Sequence, residues 1–174
     1  MKKTGIFALL AGCLTICPVV MAECASGVAL INPDSDYTDN GDGTVTHKPT
    51  GLMWQRCPFG LSWDAQTSTC TGERANHRSW SEALSEAESL DFAGHDDWRV
   101  PNINELRSLL EWSCENFAIN VTFFPTTHEA ASYWSSTSMM SDPTKARVLS
   151  FSSGAETSTR KSEYITVRAV RAGK

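Results

Sequence analysis

Apolar residues beyond Ser79 recur at Trp80, Ala83, Leu84, Ala87 and Leu90, a spacing of three or four that puts them on one face of an α-helix. Ser79-Trp80-Ser81-Glu82 supplies its start, because a serine N-cap can accept from the Glu82 backbone N–H while the Glu82 carboxylate reaches back. Gly94 is the expected stop. A second helix is expected after Asp97-Trp98-Arg99-Val100-Pro101: Asn102 caps it, Glu105 stands three residues on, and Leu106, Leu109 and Leu110 face inward.

Either side of these helices the pattern shortens to that of strands. From Tyr37 onward, Thr44-Val45-Thr46-His47 and Leu52-Met53-Trp54-Gln55 are separated by Asp-Gly and Pro-Thr-Gly punctuation, which is the hairpin signal. Residues 132–137, 146–151 and 164–171 are β-prone, with a turn at Ser153-Gly154. Strands outside and two helices inside predict an α+β domain. Within it Trp54, Trp80, Trp98, Trp112 and Trp134, set among apolar neighbours or on helix faces, read as core. Asp97 and Arg99 flank Trp98 and share the face opposite the indole, while Arg168 and Arg171 fall on opposite faces of the last strand. A structural ion-pair network around Asp97, Arg99, Glu105 and Arg168 is expected.

The stretch from Asp39 to Gly43 (DNGDG) poses a choice between a calcium loop and a tight turn. An EF-hand-type loop needs oxygen ligands at positions one, three and five, glycine at six and Glu at twelve. With Gly43 at six, Thr38 falls at one and Pro49 at twelve; with Gly41 at six, His47 falls at twelve. Neither register supplies the ligands, so the turn reading is preferred. His47, His77, His95 and His128 are scattered without metal-ligand spacing and read as surface or structural residues. His95-Asp96-Asp97 is the one local cluster able to hold a cation, and no metal or other cofactor is expected.

Composition then sets the compartment. The first 22 residues carry two lysines, an uncharged apolar run and a small residue at Ala22, the layout of a cleaved secretory leader. A lipobox-like Leu10-Ala11-Gly12-Cys13 offers a rival in which Cys13 is acylated, but the apolar run continues to Val20. Residues 23–36 form a lead-in and 37–174 the domain, without a second apolar run of bilayer length. Losing Lys2 and Lys3 with the leader takes the net charge from −5 to −7. That acidity excludes nucleic acid as a partner. Four cysteines remain, Cys24, Cys57, Cys70 and Cys114, and an even set in an exported chain reads as two disulfides with three possible pairings. The short loop favours Cys57–Cys70, which leaves Cys24–Cys114.

The ordered blocks DNGDGTVTHKPTGLMWQ, SWSEAL, GHDDWRVPNINELRSLL, FFP, YWSST and VRAVR together resemble the C-terminal domain family of the Legionella collagen-like adhesin, over residues 37–171. The resemblance singles out Asp97, Trp98, Arg99, Pro101, Glu105, Leu106, Tyr133, Trp134, Arg168 and Arg171 as the structural motif. It implies a C-type-lectin-like fold, a twisted antiparallel sheet with two helices and the termini close together, stabilised here by disulfides. It also implies a cell-surface role, since the named adhesin binds host glycosaminoglycans. This chain has no Gly-x-y stalk.

Candidate chemistry is sparse. No Gly-x-Ser-x-Gly occurs, and neither do the Glu-Pro-Asn, Gln-Pro-Asp or Trp-Asn-Asp sequences of calcium-dependent lectins. Trp63 lies inside the loop closed by Cys57 and Cys70, beside Asp64. With Phe59 and Leu61 it is either a small recognition patch or a plug that holds the loop to the domain. The expectation is a non-catalytic exported module that recognises a surface glycan or protein, with an accessory of an envelope or surface assembly as the alternative.

Overall fold

The computed structural model describes Cys24 and residues 27–72, 78–114, 117–126 and 132–173. The leader, the lipobox around Cys13, His77 and His128 lie outside the described residues.

Among the described residues, three antiparallel sheets and two α-helices make up the α+β architecture. The first sheet runs β1 (Tyr37–Asp39), β2 (Thr44–His47), β3 (Leu52–Gln55) and β9 (Val170–Ala172), so the last strand closes on strands from the opposite end of the domain. Val45 pairs with Trp54, which pairs with Val170. The β4 (Ser62–Asp64) and β5 (Thr69–Thr71) hairpin stands apart, and β6 (Tyr133–Met139), β7 (Asp142–Leu149) and β8 (Glu156–Arg160) form the third sheet.

DNGDG is a turn. Gly41 and Gly43 take φ of +81° and +87°. The carboxylate of Asp39 accepts from the Gly41 N–H at 2.9 Å, and that of Asp42 accepts from the Thr44 N–H at 3.0 Å. These bonds order the turn locally.

Both capping boxes form, at α1 (Trp80–Glu88) and α2 (Ile103–Arg107). Ala83 and Ala87 are buried and Trp80, Leu84 and Leu90 half-buried, as the spacing predicts. The first helix ends before Gly94, at a Ser89 C-cap. Gly94 serves instead the tight turn in which Phe92 and His95 exchange backbone hydrogen bonds.

Trp54, Trp98 and Trp134 are all but inaccessible. Each removes on the order of 200 Å² from water, a gross gain of about 5 kcal/mol. Trp112 departs from the core expectation: it is 58% exposed, its ring against Gly154, where there is no room for a Cβ. The anticipated ion-pair network also rearranges. Asp97 pairs with Arg171 (2.5 Å) and Arg99 with Glu105 (2.6 Å). Arg168 belongs to neither pair. It is fully buried, donates to the carbonyls of Gln55 and Arg56, and lies 4.7 Å over Phe124 and 5.4 Å over Tyr133. Arg168 precedes β9, so the two arginines do not share the last strand, and Arg171 is the one that pairs with Asp97.

Candidate functional site

Both disulfides form as favoured, Cys57–Cys70 and Cys24–Cys114. The first closes a 13-residue separation, and the hairpin inside it places Trp63 opposite Cys70. Asp64 builds the hairpin turn by accepting from the Gln66 N–H at 2.8 Å and from that of Thr67. Hydrogen bonds from Thr67 and Gln66 hold its carboxyl below the usual carboxylate range.

The loop is fastened to the domain through Arg56. This buried guanidinium donates to Asp39 (2.5 Å) and to the carbonyls of Thr122 and Phe123, and its carbon sits 3.7 Å over the Trp63 ring. Burial lowers the Arg56 pKa and the Asp39 carboxylate opposes that effect. Trp63 is therefore half-buried, with Gly43 packed beneath its Cβ.

Between this loop and the far end of α1 lies a cleft of about 310 Å³, near the lower end of the size that ligand pockets occupy. Its walls come from four elements: Asp42 and Gly43 from the β1–β2 turn, Gln55 from β3, residues 57–63 from the stapled loop, and Glu86, Leu90 and Phe92 from the helix and its exit. Phe59 and Trp63 line it, and Phe59 is also core. Asp64 does not line it; its carboxylate is turned to the hairpin.

Two of the motif residues back the cleft, Trp98 at Phe92 and Arg168 at the Gln55 carbonyl, and none lines it. Trp98 donates its indole N–H to the Phe92 carbonyl at 3.0 Å and packs its ring 5.9 Å from that of Phe92. Trp134 donates to the Arg78 carbonyl, and Pro101 accepts from the Ser136 N–H. Leu106 and Tyr133 are core. Asp42, Glu86, Leu90 and Phe92 were not foreseen as site residues. Asp42 carried a signal only within the DNGDG turn and Leu90 only as a helix-face position; Glu86 and Phe92 carried none, since Phe92 reaches the loop through the tight turn at 92–95.

Among the described residues, no group of three or more His, Cys, Asp or Glu could hold a metal ion. His95, Asp96 and Asp97 are adjacent in sequence, but Asp97 is engaged with Arg171. All four described cysteines are in disulfides. No described helix is long and apolar enough to cross a membrane.

The cleft thus belongs to a disulfide-framed α+β domain. The family model of the Lcl C-terminal domain matches residues 43–171, and the chain belongs to that family. No curated protein matches the chain.

Proposed function

We propose that the chain is a non-catalytic, extracytoplasmic binding or adhesion module that engages a surface glycan or protein through the cleft between the stapled loop and α1. The observation that carries this reading is the construction of the cleft. A disulfide, a cation–π contact and an indole hydrogen bond from the family motif all fix its aromatic walls in advance, and preorganised walls lose little entropy when a ligand binds. Residues 1–22 act as the export leader, 23–36 as the lead-in and 37–174 as the domain. Membership of an adhesin-domain family and the pairing of all four described cysteines in disulfides support export.

A second reading, an accessory of an envelope or surface assembly, draws on a different face. Val28, Leu30, Ile31 and Trp112 are exposed apolar residues on the two segments that the Cys24–Cys114 disulfide joins.

Arrays of glycans and of surface proteins, probed with the disulfide-intact protein and with Phe92→Ala, separate the two. Binding that the cleft variant loses while keeping its thermal stability supports the module. Partner co-purification that ignores Phe92→Ala but is lost in Trp112→Ala supports the accessory and overturns the cleft.

A further inference from the structure

The cleft has a charge character as well as a shape. Phe59, Leu61, Trp63, Leu90 and Phe92 line it with two carboxylates, Asp42 and Glu86, and without a lysine or arginine. Trp63 and Phe92 converge on Gly43: a Cβ there would lie 3.0 Å from the Trp63 Cβ and 3.2 Å from the Phe92 ring. Arg56 is paired with Asp39 and Arg78 with Glu86, so the charge of Glu86 is offset and Asp42 supplies the cleft's net negative charge. Asp42 has no ion pair among the described residues, and its Oδ1 is used by the Thr44 N–H and hydroxyl.

Aromatic faces carry negative potential and attract an ammonium or guanidinium laid over them, and a nearby carboxylate adds to the same field. The protein uses this pairing elsewhere, as with Arg56 over Trp63 at 3.7 Å and Lys161 over Trp80 at 3.9 Å. We propose that the cleft takes a basic side chain, arginine or lysine, presented by a protein partner. This inference rests on the cleft being the ligand site. The aliphatic stem of such a side chain lies along Leu61 and Leu90 while its head reaches the aromatic wall. The net charge, −5 for the full chain and −7 once Lys2 and Lys3 leave with the leader, favours the approach of a basic protein and repels sulfated polysaccharide.

The test is an amide and indole NMR titration of the disulfide-intact protein with five probes: N-acetyl-arginine amide, its neutral isostere N-acetyl-citrulline amide, choline, a sulfated disaccharide and a neutral disaccharide. The expected result is that the arginine amide shifts the signals of Gly43, Phe92 and the Trp63 indole, with citrulline about fivefold weaker or worse. Asp42→Asn keeps Oδ1 and so keeps the turn to Thr44, and it weakens the arginine amide about threefold; Phe92→Leu does the same by removing the ring. Equal binding of citrulline and arginine, or no effect of either variant, overturns the proposal. Choline binding more tightly than the arginine amide overturns the protein partner in favour of a small quaternary cation. If a saccharide shifts these signals and the arginine amide does not, the cleft stands as a ligand site and the cation is wrong. If none of the five shifts them, both readings fail.

Discussion

His47 shows how one buried polar side chain ties the lead-in to the first sheet. Asn32 donates its amide to the Leu110 carbonyl at 2.7 Å, which turns its Oδ1 toward the imidazole. Nε2 of His47 is therefore the donor at 3.0 Å, and Nδ1 accepts from the Thr50 hydroxyl. Burial lowers the His47 pKa from 6.5, against a smaller opposing effect of Asp36. Between that lowered value and 6.5 the unfolded chain binds more protons at this site, so His47 makes stability fall as pH drops through 6.5. Urea midpoints from pH 7.5 to 5 check this, with His47→Gln expected to flatten that part of the curve. At the same scale Trp54→Ala should cost about 3–5 kcal/mol in urea unfolding, and Trp112→Ala well under 1 kcal/mol. Sequence alone could not separate these tryptophans. Both stand beside apolar or helical neighbours, and what differs is Gly154, which is distant in sequence and leaves Trp112 lying on the surface.

Local chemistry made some elements legible and left others hidden. The two capping boxes and the Gly turns are encoded within four residues, and they form as expected. Asn102→Ala removes the acceptor for the Asn104 and Glu105 N–H groups and should cost about 1 kcal/mol by denaturation. Strand β8 was not visible because Glu156–Arg160 carries no apolar alternation; its sequence is ETSTR, and it pairs only with β7. Residues 164–171 read as one strand, but only Val170–Ala172 forms a ladder. The Thr166, Val167 and Ala169 carbonyls accept in turn from Trp134, Phe59 and Gln55, so this apolar segment threads between three partners. The stapled loop was legible as a loop, whereas its cleft was not, because the opposite wall comes from residues 86–92. Replacing Cys57 and Cys70 together by serine should cost about 3 kcal/mol on chain-entropy grounds. It should also loosen Trp63 from Arg56, read as a change in tryptophan fluorescence.

Across the whole molecule, the Cys24–Cys114 disulfide and the first sheet act over long separations. Cys24–Cys114 spans 90 residues, and β9 closes on β3. The proposed export predicts that intact mass from the native host begins at Glu23, with four alkylated sites appearing only after reduction. Acyl chains on Cys13 would instead put the protein on a membrane and favour the accessory reading. The α+β class followed from patterning, while cysteine counting left three pairings, of which loop length favoured the one that forms. The placement of Arg168 did not, since a guanidinium buried over Phe124 and Tyr133 depends on packing between distant segments. The central claim is that ligand binding occurs in the cleft between the stapled loop and the end of α1. Hydrogen exchange of the disulfide-intact protein, with and without the strongest array binder, tests it most directly. Protection at residues 57–64 and 90–95 is the predicted result, and protection confined to the surface around Trp112 and residues 28–31 would contradict it.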